Sequence, residues 1–442
     1  GKLRPAQTMK VAANQTWFEY QPARVAQRTS KSLASFDAPA GKNAAIETFD
    51  EHGLGLEPNN LAAIESLRAY RALRFGRHFE LIITDHHEPD ESLPPALAVI
   101  NPKRHDCAYP DKNLAGVGVA LKLVHALCVK SGRENWLPGF VKIAAIGTLA
   151  DVVPLIGENR VIAKLGLGML SAGPHKVGLR ALLDVCGLTG KEIDSYHIGF
   201  VIGPRVNAAG RMSTPDIAAR LLLASDESMI EEARGLAQQL DIENVRRQKE
   251  EAGIVAEAKR IVETDLDVGS RTVIVVGGEG WHRGVIGIVA SKLVDAFHRP
   301  AIVLSKDGEI AHGSCRSIPS FNMLAALESC AEVMTKFGGH TQAAGLTIAS
   351  VRIRELRARV NEYADSRVQP DDLRPRLWID GALPFGAISE RVASELSVLA
   401  PFGAGNPRPV FHAGRVEVVD GPRVLKERHL KMSFRQQGKV MR

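Results

Sequence analysis

From Asp226 to Glu263 the chain runs without a proline, through EEARGLAQQLDIENVRRQKEEAGIVAEAKRIVE. Acids and bases interleave, and the apolar residues form only a thin stripe at helical spacing. A helix this long and this polar on most faces cannot sit inside one core. It reads as a bridge between two lobes. The length of 442 residues agrees. It exceeds what one compact core organises, and roughly two to four domains are expected.

Both flanks of the bridge alternate short apolar runs with helical text. Before it, FELIIT (79–84) and ALAVIN (96–101) read as strands, and GVGVALKLVHALCVK (116–130) has helical spacing. VKIAAIGTLADVV (141–153) reads as another apolar strand, stopping at Asp151 and Pro154. This rhythm predicts an α/β fold, a parallel sheet with helices on both faces. After the bridge, RTVIVVGG (271–278) and RPAIVLS (299–305) predict a second α/β unit. Near residue 369 the texture changes. VQPDDLRPRLWIDG reads as a linker running into a strand, and FHAGRVEVVDGPRVL as hairpin material. The first fifty residues hold no sustained period.

Hydrophobic residues make up 45% and charged residues 24%, the balance of a soluble globular protein. No membrane-length apolar stretch and no signal-peptide pattern is present, which predicts no membrane partner. The five cysteines include no C-x-x-C pair, which argues against a disulfide scaffold or zinc ribbon and fits a reducing cytoplasm. The last twenty residues carry seven Lys or Arg against one acid, Glu427. Such an end meets phosphate or forms a solvated basic face; charge alone leaves both open.

Candidate chemistry gathers where apolar runs end. TDHHEPD places Asp85, His86 and His87 directly after LIIT, beyond the carboxyl end of a predicted strand, where open sheets build sites. A hard carboxylate beside imidazoles suits Mn²⁺, or Mg²⁺ with poorer fit to nitrogen. A polar loop with ordinary hydrogen bonds would read the same. Asp151 at the end of IGTLADVV could meet that group, or simply cap a turn. KFGGHTQAAGLTI supplies Gly338, Gly339 and His340, whose glycines would let backbone N–H groups approach phosphate. GSCRSI offers Ser314 and Arg316, WHRGVIGIVASKL offers His282 and Arg283 near a helix start, and GPRVNAAGRM offers Arg205, Asn207 and Arg211. Each arginine alone is as readily a surface ion pair.

In order and spacing these stretches, with NPKRHDCAYPDKNLAGVGVALKL, GTLADVVPL, FHRPAIVLS and PFGAGNPRPVF, resemble the DHH phosphoesterase family and its bacterial RecJ-type branch of exonucleases. The resemblance runs from about residue 79 to the end. It implies a DHH domain (35–225), a connecting helix (226–263), a DHH-associated domain (264–368) and a partial OB-fold β-barrel (369–442), with residues 1–34 unassigned. It implies 5′→3′ hydrolysis of single-stranded DNA by water activated on Mn²⁺ or Mg²⁺, in DNA repair and recombination. By motif position Asp37, His86 and Asp151 match metal ligands. Asp85 and His87 match their neighbours in the site. Arg205, Asn207, Arg211, His282, Arg283, Ser314, Arg316, Gly338, Gly339 and His340 match the substrate side. The family further implies DNA-repair partners such as a helicase or a single-strand-binding protein; a monomer is expected.

The departures are specific as well. The family's D-x-D-x-D-G motif is represented only by SFDAPAG (35–41), with Ser35 and Pro39 flanking Asp37, and its second acidic motif is absent. Two-metal catalysis needs carboxylates enough to hold two dications roughly 4 Å apart. The alternative is therefore a catalytically impaired relative that binds single strands. A DHH enzyme of short oligonucleotides or cyclic dinucleotides is disfavoured by WHRGVIG and PFGAGNPRPVF.

Overall fold

A computed structural model describes residues 82–89, 92–265, 270–425 and 429–442. They fall into two compact units, one comprising the residues up to 112 with 118–140, the other 113–117 with 141–442. In the first, β1 (Ile82–Thr84) and β2 (Ala98–Ile100) pair in parallel, with Ile83 opposite Val99. The helix α1 (Gly116–Lys130) occupies the residues that its spacing marks.

The stretch 141–153, expected as a strand, is helical. It forms most of α2 (Leu137–Ala150). A continuous apolar run does not distinguish a buried strand from a buried helix. Here small residues decide, because they admit a neighbouring helix. A Cβ added to Gly166 of α3 (Gly157–Ala172) would lie 2.2 Å from the Ala145 Cβ of α2. Next come α4 (Val177–Val185), a helical turn at Ser195–His197, a π-helical turn at Ile198–Ile202, α5 (Gly203–Met212) and α6 (Asp216–Leu223). Leu182, Ile198, Ile202 and Leu221 are fully buried in the core of this helical lobe.

The bridge is α7 (Ile230–Thr264), 35 residues long. At 1.5 Å per residue it spans about 50 Å. Its buried residues follow one stripe. Ala233, Leu236, Ala237 and Leu240 enter the helical core, and Ile254, Ala258 and Val262 enter a second core. Between these apolar ends the same stripe carries Asn244, Arg247 and Glu251, also buried.

The second lobe is a mixed sheet in the order β3-β4-β5-β7-β6. β3 (Ile274–Glu279), α8 (Ile286–Phe297) and β4 (Ala301–Asp307) make a parallel βαβ unit. β5 (Ile310–Arg316) pairs antiparallel with β4; after α9 (Met323–Glu328), β6 (Lys336–Gly339) and β7 (Ala343–Ala349) complete the sheet antiparallel, and α10 (Ile353–Asp365) follows. Alternation sorts the side chains. Val275, Ile302 and Leu304 face the α9/α10 side, while Ile274, Val276 and Val303 face α7 and α8. On β5 and β7 only one face joins a core, through Ala311, Cys315, Ala344, Leu346 and Ile348. The opposite face carries His312, Ser314, Arg316, Gly345 and Thr347.

The C-terminal segment holds β8 (Gly381–Ala382), α11 (Glu390–Ser397), β9 (Phe411–His412), β10 (Glu417–Leu425), β11 (His429–Gln436) and β12 (Lys439–Met441). β8 pairs with β9, and β10-β11-β12 form an antiparallel meander; the sheets do not close into a barrel. Among the described residues no helix is long and apolar enough to cross a membrane.

Gly178 opens α4 directly against the end of α6. Its N–H donates to Ala224 O at 2.9 Å, and a Cβ there would stand 1.6 Å from Leu221 O. Gly178→Ala is expected to cost about 3 kcal/mol, because backbone rather than a flexible side chain must give way. Urea unfolding of the two proteins measures it.

Candidate nucleic-acid and metal site

Asp85 is the first residue beyond β1, as its sequence position implies. Its N–H donates to Ile100 O of β2 at 3.1 Å, which fixes the backbone. The Asp85 side chain is buried and Oδ1 accepts three bonds: His86 N at 2.7 Å, His87 N at 3.3 Å and His87 Nδ1 at 2.8 Å. Asn101 Nδ2 donates to His87 O at 2.8 Å and ties the loop to the residue after β2. Burial pushes the Asp85 carboxyl up. The bonds from His87 and His86 outweigh it, and the group lies below its ordinary value. Asp85 therefore holds the loop backbone and the His87 ring in place. In neutral His87, Nδ1–H donates to it and Nε2 keeps the lone pair. The His86 and His87 rings lie 4.4 Å apart, with His87 exposed.

Asp151 does not end a strand. It follows the last turn of α2, donating its N–H to Gly147 O at 2.9 Å, and it is exposed. Val152 follows with φ of 61°, a left-handed backbone that a β-branched residue adopts only at a cost of about 1–3 kcal/mol. The next residues are held from the C-terminal segment. Leu155 N donates to Ala404 O at 2.7 Å, and Gly403 and Gly405 pack against Leu155 and Pro154.

Ala150, immediately before Asp151, lines a cleft of about 130 Å³ with Gly199, Gly203, Pro204, Asn207, Arg211, Arg247 and Ile288. Arg211 donates to Gly284 O at 3.0 Å. Gly284 is required there, since a Cβ would come within 2.5 Å of Arg211 O. Arg316 at the end of β5 donates to Cys315 O at 2.8 Å and Ser314 Oγ at 3.3 Å, and its guanidinium approaches Gly287 of α8. Burial, then the like charges of Arg247 and Arg316, pushes Arg211 below its ordinary value. Burial also lowers Arg316, and the neighbouring Cys315 only partly offsets it. Arg211 thus lies in the field of two further guanidiniums. Arg247 donates to Glu251 Oε2 at 2.5 Å and Asn244 Oδ1 at 3.1 Å, while its buried Nε has no partner among the described residues. Among the described residues, neither Arg211 nor Arg316 has a carboxylate within ion-pair reach. Glu251 is the counter-charge for Arg247 and Lys292 and acts on Arg211 as well, so the cluster carries more cations than this carboxylate offsets, and the excess favours an anion.

The remaining candidates divide. Asn207 lines the cleft. Arg205, on the same helix, is spent elsewhere, on Asp241 at 2.8 Å and Val201 O at 2.8 Å, so it is a structural ion pair. His282 and Arg283 lie in the turn ahead of α8, which starts only at Ile286. There the His282 carbonyl accepts from Val285 N, and Arg283 is exposed. Gly338 and Gly339 close β6, with exposed His340 following. Gly339 serves packing, because at φ of 144° a Cβ would sit 2.5 Å from Ala343 O; a Cβ on Gly338 would meet nothing. Asp37 lies outside the described residues. Among the described residues no three His, Cys, Asp or Glu side chains converge to hold a metal ion, so these residues by themselves do not complete a cage.

Arg247 and Glu251 escape motif reading. The available signal is their position, an Arg and a Glu four apart on the stripe that is apolar at both ends of α7. Glu251 also binds Lys292 of α8. Removing Glu251 leaves a buried guanidinium uncompensated. Glu251→Ala is expected to cost about 3–5 kcal/mol, and Lys292→Ala, at a half-exposed amine, less than about 1 kcal/mol. Chemical denaturation of both variants checks the ordering.

Comparison with known proteins gives a consistent set. The family model for the DHH family, N-terminal domain matches residues 60–148, that for the DHHA1 domain 270–366, and that for the RecJ OB domain 379–442. The single-stranded-DNA-specific exonuclease RecJ of Bacillus subtilis is 40% identical over 398 residues, covering 88% of this chain and 49% of that protein. The crystal structure of RecJ with Mn²⁺ from Thermus thermophilus superposes with a TM-score of 0.71 at 32% identity, covering 84% of this chain and 54% of the other. An exonuclease RecJ bound to manganese is 33% identical with a TM-score of 0.55, covering 70% of this chain and 75% of the other. The chain thus spans about half the length of the Bacillus relative.

Proposed function

Since the chain belongs to the RecJ family of DHH phosphoesterases, we propose that it is a single-strand-specific 5′→3′ exodeoxyribonuclease acting in DNA repair and recombination. The observation that carries this reading is the cationic cleft at Arg211, where burial and the charges of Arg247 and Arg316 outweigh that of Glu251, which is shared with Arg247 and Lys292. A polyanion supplies the missing charge. The cleft begins at Ala150, so a bound phosphate would lie close to Asp151.

The cofactor in this reading is Mn²⁺ or Mg²⁺, the ions named for the two Thermus structures. When bound, such an ion activates water and neutralises the phosphate. We assign His86, Asp151 and Asp37 as ligands, with Asp85 holding the His87 ring in one orientation. Arg211, Arg316 and Ser314 bind the backbone of the strand, and Asn207 offers an uncharged donor and acceptor beside them. A repair helicase or single-strand-binding protein as partner, and a cytoplasmic location, belong to the same reading.

His86→Ala and Asp151→Ala are expected to abolish digestion of a 5′-labelled single strand, a loss of about a hundredfold or more, on the order of 3 kcal/mol in the barrier. Binding of the same strand in EDTA should change little. Equal loss of binding in both variants would remove the proposed division of labour. Arg316→Ala should weaken strand binding about tenfold and reduce the dependence of log affinity on log salt by about one. An unchanged slope would count against a phosphate contact.

The incomplete donor set among the described residues favours a second reading, a RecJ-shaped protein that binds single strands without cutting them. Calorimetric titration with Mn²⁺ beside the digestion assay separates the two. Two ions with cleavage support the enzyme; one ion or none, with DNA bound and uncut, supports the binding protein.

A further inference from the structure

Tyr196 and Phe200 stand on the helical run that leads into α5. Their rings stack at 4.9 Å with 27° between planes. They are 60% and 71% exposed, and Phe200 is the most exposed phenylalanine among the described residues. The run itself is anchored. Asp194 Oδ1 accepts from His197 N at 3.0 Å, the His197 ring closes back on Asp194, and Ile198 and Ile202 are fully buried on the core side. Two exposed rings stacked on each other, on a backbone anchored from within, are a ready apolar surface.

The pair continues a feature already described. Gly199, Gly203, Asn207 and Arg211 follow one another along the same helical run and line the arginine cleft, and Gly199 sits between Tyr196 and Phe200 in sequence. Among the described residues, a Cβ on Gly199 would meet nothing within 4 Å beyond its own helix backbone and chain neighbours, and its backbone is not left-handed. Neither packing nor conformation asks for glycine at that point. Its missing side chain leaves open space on the cleft wall next to the residue that carries the Phe200 ring.

We propose that Tyr196 and Phe200 form a stacking platform for a base of a bound single strand, with Gly199 leaving room for the backbone to turn toward Arg211 and Arg316. The idea rests on the single-strand reading above and adds to it a contact with the bases. Every base has a π-face, so a platform of this kind grips without regard to sequence. It also complements the cleft chemically: the guanidiniums take phosphate, and the rings take the apolar part of the nucleotide.

The test compares two labelled strands of equal length, oligothymidylate and an abasic strand of the same phosphate spacing, bound to the whole chain in EDTA. Phe200→Ala should lose about tenfold in affinity for oligothymidylate and remain within about twofold for the abasic strand. Phe200→Tyr should restore the difference. Arg316→Ala, by contrast, should weaken both strands alike. Unchanged binding of oligothymidylate by Phe200→Ala overturns the platform, as does equal loss on both strands. A fall in melting temperature with unchanged binding overturns it too, and identifies the pair as a packing surface for another part of the chain or another copy. A wild-type chain that binds neither strand removes the single-strand reading itself, a result separable from all of these.

Discussion

The two cores that α7 joins in the larger unit depend on one stripe along that helix. Its two ends are apolar and enter separate cores, so the helix belongs to both lobes at once. Its centre is polar, and there Arg247 and Glu251 are buried together. A buried pair contributes little net stability, since desolvation offsets most of the attraction. What it does is fix the register of α7 against α8, through Lys292, and place a guanidinium beside the cleft. A leucine in place of Arg247 would strip the buried Glu251 of its buried partner and leave the cleft without that guanidinium.

The same arrangement explains how a protein of modest net charge, +6, can present a strongly cationic feature. Many arginines spend their charge locally, as Arg205 does on Asp241 and Arg180 does on Glu227. The cleft differs because Arg211 and Arg316 are held by carbonyls and a hydroxyl instead. Neutral acceptors position a guanidinium without cancelling it. Local geometry, not overall composition, sets the field that an approaching anion meets.

How much of this was legible follows from the period of each segment. The span of α1 and the existence of α7 follow from spacing alone, because long segments repeat their signal. The stretch 141–153 misleads, since an unbroken apolar run satisfies strand and helix equally, and only the small residues facing Gly166 decide. Asp85 is correctly placed because a strand end is a local property. Arg205 and Arg211 look alike in GPRVNAAGRM, yet Asp241, far along the chain, claims only the first. Arg247 was invisible for the converse reason: its surroundings come from α5 and α8, and no motif announces them. Asp37, outside the described residues, stands as the sequence left it.

The backbone at Val152 has a consequence for the C-terminal segment. A valine in left-handed geometry does not hold itself there, so the turn after Asp151 is kept in place by its surroundings. Those surroundings include the loop PFGAGN, whose Ala404 carbonyl accepts from Leu155 and whose glycines pack on Pro154 and Leu155. The loop near the far end of the sequence thus acts as a latch on a compressed spring. The backbone beside Asp151 is braced by a loop about 250 residues further along the chain, and the turn and its brace belong to segments that sequence proximity would never join.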